Sequence, residues 1–186
     1  MVGVRTAGEI RTGHGFDLPF MSQTSSEIEG RLRALGLVWP EPPAALGHYR
    51  PVVIRGALGV VSGQFSWEQG RLVTRGRVGE EVDQDAARRA AASAALNCIA
   101  HIRVATDEFA RFRGLLRLDG YIASAPGFHQ QPRVLDAASE LLVAVFGPLL
   151  GEHARCVVPV GRLPLDATVE LVLSFAVRAA RGKRVR

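Results

Sequence analysis

Apolar residues along this chain follow two rhythms. Between His153 and Phe175, two runs rich in valine and leucine alternate with period two, as strands do. In the first run, Cys156, Val158 and Val160 share one face, and Arg155, Val157 and Pro159 share the other. In the second, Val169, Leu171, Leu173, Phe175 and Val177 make a continuous apolar face, opposite Thr168, Glu170, Val172 and Ser174. Only a short connection through Leu163-Pro164-Leu165-Asp166 separates them, so the two runs are expected to form an antiparallel hairpin. Earlier, Val52-Val53-Ile54 and Gly59-Val60-Val61 read as strands around a turn at residues 55–58. Ser62-Gly63-Gln64 is expected to end the second of them. A short strand at residues 71–74 after a Gln69-Gly70 turn, and a longer one at residues 115–124, complete the set.

The helical rhythm appears three times. Ser26 and Glu29 form a capping-box pattern before Ile28, Leu32 and Leu35, and Gly36 can close that short helix. Trp39-Pro40-Glu41-Pro42-Pro43 then has to be extended, because each proline disfavours helix at the residue before it. A long helix is expected from about residue 80 to about residue 106. Acids crowd its start, His101 and Arg103 lie near its end, and Ala91, Ala95, Ile99 and Ile102 line its buried side. A second long helix starts near Pro132, with Leu135, Ala138, Leu142, Val145 and Phe146 as its apolar stripe. The order of elements predicts an α+β fold, a mixed sheet with two helices on one face. The other sheet face would stay bare, which favours self-association.

The stretch Ala154-Arg155-Cys156-Val157-Val158-Pro159-Val160-Gly161-Arg162-Leu163-Pro164, followed by Asp166 and Val169-Glu170, resembles the signature of the RidA/YjgF family. Gly47-His48-Tyr49, Val61-Ser62-Gly63-Gln64, Gly76-Arg77-Val78-Gly79 and the segment from Phe128 to Phe146 add to it in order. The likeness is greatest to the longer branch, labelled endoribonuclease L-PSP-like. It implies a chorismate-mutase-like (bacillary type) fold and a homotrimer with a small-molecule pocket in each cleft between subunits. It also implies cofactor-free, hydrolytic deamination of reactive enamines or imines. On that resemblance residues 1–45 are an N-terminal extension, 46–177 the RidA-like domain and 178–186 a basic tail.

Composition narrows the classes. The 186 residues carry 47% apolar and 22% charged side chains, an ordinary balance for one domain with short extensions. No uninterrupted apolar run approaches the roughly 18 residues of a membrane span, and the N-terminus has no secretory pattern. Two cysteines, Cys98 and Cys156, form no C-x-x-C, which fits a cytoplasmic chain with reduced thiols. The net charge of +5 is matched by Arg178, Arg181, Lys183, Arg184 and Arg186, so the remainder is formally neutral. That placement argues against nucleic acid as the main partner. The five histidines are scattered without metal-ligand spacing, so neither a metal nor a cofactor is expected.

Candidate chemistry comes mainly from the resemblance. It implies that Arg155 grips a substrate carboxylate, Glu170 positions or activates water, Tyr49 closes over the pocket and Ser62 lines it. The residues alone leave a plainer alternative open, in which Arg155 and Glu170 are solvated charges on strand faces and Tyr49 and Ser62 serve packing and a turn. Three positions depart from the enamine deaminases: Val157 replaces a cysteine, Pro159 an acid and Asp136 an asparagine. A carboxylate at Asp136 would repel an anionic substrate from Arg155 or would itself occupy the guanidinium. A non-catalytic metabolite-binding trimer and an endoribonuclease are the other functions the chain has to be weighed against.

Overall fold

The computed structural model describes residues 25–179. Residues 1–24 of the expected N-terminal extension and residues 180–186 of the expected basic tail lie outside them. Helix α1 (Ser25–Ala34) leads through the proline-rich strap to β1 (Val52–Arg55) and β2 (Leu58–Phe65). A small hairpin, β3 (Trp67–Glu68) and β4 (Arg71–Leu72), precedes α2 (Gln84–Ala105). Then come β5 (Phe112–Ala123), α3 (Gln131–Gly151), β6 (Ala154–Val160) and β7 (Val169–Val177). Five strands form one mixed sheet in the order β1-β2-β7-β5-β6. Helix α2 packs on β7 and β2, α3 packs on β5, and the two helices pack on each other, which is the α+β layout the periodicity predicts.

The predicted hairpin is not there. β6 pairs with β5 in parallel and β7 pairs with β5 antiparallel, so one strand separates the two runs. The reason lies in β5. It is 12 residues long, with Leu118 and Ile122 wholly buried under the helices. In the middle of the sheet both of its edges find hydrogen-bond partners; at a margin one would be left open. The link from β6 to β7 therefore steps past β5 through a 3-10 turn at Pro164–Asp166, with Leu165 and Asp166 at φ 57° and 60°. The segment β5-α3-β6 is an ordinary parallel crossover. β2 and β5 also run parallel across α2, with β7 inserted between them.

Other expectations shift by small amounts. β2 continues through Ser62-Gly63 to Phe65 instead of ending there; these two residues form a bulge, since the register jumps from Val61↔Leu173 to Gln64↔Leu171. Helix α2 starts at Gln84, with the Asp83 side chain accepting the Ala86 N–H at 2.7 Å. Glu80 and Glu81 stay in the preceding loop, where Glu81 accepts the Arg77 N–H. Helix α1 buries Ile28 and Leu32 but leaves Leu35 exposed, and Gly36 (φ 70°) closes it as predicted. There the Leu37 N–H reaches back to Leu32 O and the Gly36 N–H to Arg33 O.

Helix α3 buries the predicted stripe completely. By length and composition it is apolar enough to cross a membrane, which the count of uninterrupted apolar residues did not anticipate. Half of that window is buried inside this fold. The helix breaks at Gly147 (φ 71°, ψ 167°), just before Pro148. Its last turn folds back so tightly that a Cβ on Gly151 would lie 2.8 Å from the Leu142 carbonyl oxygen. That fold-back sets where β6 begins.

The two sheet faces differ. On β7, the residues from Val169 to Val177 alternate between fully and partly buried. The buried set faces α2 and α3. Opposite lie Glu170, Val172 and Ser174, flanked by Val53, Leu58 and Val60 on one side and Val158 on the other. Those last four apolar side chains are each more than a third exposed. At the sheet margins stand β1, entered from Pro51, and β6, which contains Pro159.

Candidate functional site

The six side chains singled out from the sequence separate: Arg155, Asp136 and Val157 group on the helix side of the sheet, Glu170 lies on the other face, and Ser62 and Tyr49 stand at the β2 bulge and the crevice beside it. Arg155 pairs in register with Leu118, which is fully buried on the helix side, so Arg155 lies along α3. Its Nη2 is 2.7 Å from Asp136 Oδ1, and its Nη1 donates to Ser139 Oγ at 3.3 Å. Asp136 thus takes the guanidinium itself. A third of the Arg155 side chain remains exposed, and solvent weakens such a pair to about 0–1 kcal/mol. A ligand anion can compete for that arginine. Val157, two residues on, shares this face, pairs with Gly120 and packs against the core. No cysteine thiol accompanies Arg155 here: Cys156 points the other way, and Cys98 is buried in the core with its thiol pKa pushed far up by desolvation.

Glu170 belongs to the bare face. Its register partners are Tyr121 on β5 and Phe65 on β2. The carboxyl lies against the Gly63 backbone, and a Cβ at residue 63 would come within 1.8 Å of Glu170 Oε1. Only glycine leaves room for that approach. Burial raises the Glu170 pKa from its ordinary value, with no charged neighbour contributing. Ser62, the other bulge residue, accepts from Gln64 Nε2 at 3.3 Å, while its N–H is held by the Pro51 carbonyl. Tyr49 is 48% exposed and lines a crevice with Gly63, Gln64 and Pro51. That crevice holds only about 10 Å³, the room one water needs.

Within one chain these groups do not converge. Arg155 and Glu170 are two strands and three register positions apart, roughly 10 Å sideways and 10 Å along the sheet, on opposite faces. Arg162 is engaged elsewhere, with Asp166 and, at 3.2 Å, with Glu81. A roomier recess, about 1150 Å³, opens between the proline-rich strap, the β3–β4 turn and α2, and it contains none of the six residues.

Sequence reasoning missed two side chains beside Arg155. Ser139 Oγ is 3.1 Å from His153 Nε2, and His153 Nδ1 is 2.6 Å from the Gly151 carbonyl oxygen. The contact depends on the fold-back of the last turn of α3, which no helical period announces. Gly63 was also missed as the seat of Glu170; the one signal was a glycine inside a strand pattern, which marks a bulge or a close approach.

Comparison with known proteins agrees with this architecture. The family described as "YjgF/chorismate mutase-like, putative endoribonuclease" matches residues 29–177. The chain is 31% identical over 147 residues to Protein TCP17 of Trypanosoma cruzi, covering 79% of this chain and 92% of that protein. A crystal structure of a protein of unknown function from Agrobacterium tumefaciens superposes with a TM-score of 0.77 at 37% identity, over 83% of this chain and 94% of the other. A "putative endoribonuclease" from Shewanella oneidensis superposes with a TM-score of 0.77 at 35% identity, over 81% and 99%. The matched span holds every strand of the sheet, both long helices and all six candidate residues, and on that ground the chain belongs to the YjgF/chorismate mutase-like family.

Proposed function

We propose that this protein is a cofactor-free hydrolytic deaminase of small enamine or imine intermediates, working as a homotrimer with a site in each cleft between copies. The observation that carries the reading is Glu170. It is a half-buried carboxyl with a raised pKa and no ion pair among the described residues, and it sits on a sheet face left uncovered. Burial favours the protonated form of such a carboxyl, which suits it to exchanging a proton with a bound water. Arg155 and Glu170 cannot meet within one chain, so the site is built from Arg155 of one copy and Glu170 of the next. Covering the bare face against another copy also removes its exposed valines and leucines from water.

On this reading Arg155 orients the imine, and Tyr49 and Ser62 close and line the cleft. Glu170 positions a water molecule for attack on the imine carbon. The nitrogen is protonated and leaves as ammonia, and a carbonyl compound remains. Light scattering should give the mass of a trimer. Ammonia release, with an amino-acid oxidase supplying 2-imino acids, should exceed background in the wild type and fall to background in Arg155→Ala and Glu170→Gln. A wild-type rate equal to that of both variants would end the deaminase reading.

A second reading, a metabolite-binding trimer without catalysis, is favoured by the Arg155–Asp136 pair, because an arginine already balanced holds an anion only weakly. Thermal-shift titration with small acids and zwitterions would then show stabilisation that no ammonia release accompanies.

A further inference from the structure

We propose that Ser139 is an activated nucleophile, with His153 as its general base, and that together with Arg155 they form an acyl-transfer site for small neutral esters. Hydrogen-bond polarity within the cluster fixes the roles. The Gly151 oxygen is a carbonyl and only accepts, so His153 Nδ1, 2.6 Å away, carries the proton in the neutral ring. His153 Nε2 then presents a lone pair, and the group 3.1 Å from it is the Ser139 hydroxyl, which donates. Arg155 Nη1, at 3.3 Å, donates to the same Ser139 oxygen. A hydroxyl that gives its proton to an imidazole while its oxygen accepts from a cation is set up as an alkoxide precursor. The Gly151 carbonyl holds the imidazole in the tautomer the step requires, the part an orienting third group plays in nucleophile–base pairs.

The fold holds this arrangement firmly. The Gly147–Pro148 break and the close packing of Gly151 on Leu142 turn the chain back, so that His153 reaches one turn of α3 from outside. Ser139 and His153 are both half-buried, and Arg155 beside them is exposed.

In the reaction, Ser139 Oγ attacks the ester carbonyl carbon and its proton passes to His153 Nε2. The negative charge that develops on the carbonyl oxygen lies beside Oγ, within reach of the Arg155 guanidinium. Collapse expels the alcohol, which takes the proton from Nε2, and leaves an acyl-serine. Water, losing a proton to His153, hydrolyses that ester and releases the carboxylic acid with free Ser139. With Asp136 balancing Arg155 the cluster carries no net charge, and neutral esters, which do not have to displace that pair, are the class that fits.

The inference does not depend on the deaminase reading, because all four side chains come from one copy and the readout is a covalent adduct. The full-length protein would be treated with p-nitrophenyl acetate, followed by p-nitrophenolate release and peptide mapping by mass spectrometry. An acetyl group on Ser139 is expected, absent from that position in Ser139→Ala. His153→Asn, which can still donate to the Gly151 carbonyl but has no base, should acylate about 10²-fold more slowly while keeping the wild-type circular dichroism and Tm. No adduct on Ser139, or an unchanged acylation rate in folded His153→Asn, would overturn the assignment and leave the contact as a tie at the helix end. If His153→Asn loses its fold, His153→Gln is read by the same two criteria.

Discussion

The two faces of β7 have opposite fates although they alternate residue by residue. Toward α2 and α3, Val169, Leu171, Leu173, Phe175 and Val177 are sealed. On the reverse, Glu170, Val172 and Ser174 are only partly covered, and their neighbours Leu58 and Val60 are exposed at 59% and 44%. The first face is completed by the chain's own helices. The second is left uncovered by this chain, and its one ionisable group on β7 is half-buried. The difference separates a surface that holds the protomer together from the surface on which the proposed site is built.

The largest effect should come from the sealed face. Leu173→Ala is expected to cost about 2–5 kcal/mol in urea unfolding, as fully buried leucines do. Val60→Asp places a charge in the middle of the open face. It should leave the protomer folded but convert the proposed trimer to a monomer by sedimentation velocity; an unchanged trimer would break the distinction between the faces. Gly63→Ala drives a methyl group into the Glu170 carboxyl, so it should lower ammonia release about 10²-fold with little change in circular dichroism. Asp136→Asn tests the other cluster. It frees Arg155 and should tighten binding of small carboxylates by up to about fivefold in calorimetry, the limit set by a partly exposed pair.

The smallest effect is a pH dependence. The folded pKa of Glu170 lies above its unfolded value, so between the two the folded state binds the proton more readily. The contribution of this group to stability is therefore present at acid pH and is lost as pH rises through the folded pKa. Glu170→Gln should melt slightly higher than the wild type at neutral pH and match it below the ordinary carboxylate range. A variant that melts lower at neutral pH would mean that Glu170 has a favourable charged partner in the assembly.

Periodicity carried much of this structure. The apolar face of β7 and the stripe of α3 were legible because each repeats over several turns or pleats. The division of Arg155, Val157 and Pro159 from Cys156, Val158 and Val160 was also right. Pairing was not legible. Two valine-rich runs close in sequence looked like a hairpin, and nothing local in them reveals that β5, forty residues earlier in the chain, would take the place between. The same gap hid the fact that Arg155 and Glu170 face apart. The Ser139–His153 contact was invisible for another reason: it spans a helix break, where the spacing that relates one residue to the next turn no longer applies.

A proline at the sheet margin limits how copies can assemble. Val160 turns its carbonyl toward β5, where the Ser124 N–H meets it at 2.9 Å, so by alternation Pro159 directs its main chain outward. No donor exists there for an incoming strand. Ribbon-wise growth from chain to chain is discouraged at the β6 border. In the trimer proposed above, contact would run instead through the flat of the sheet, which favours a closed ring of few members over an endless fibre.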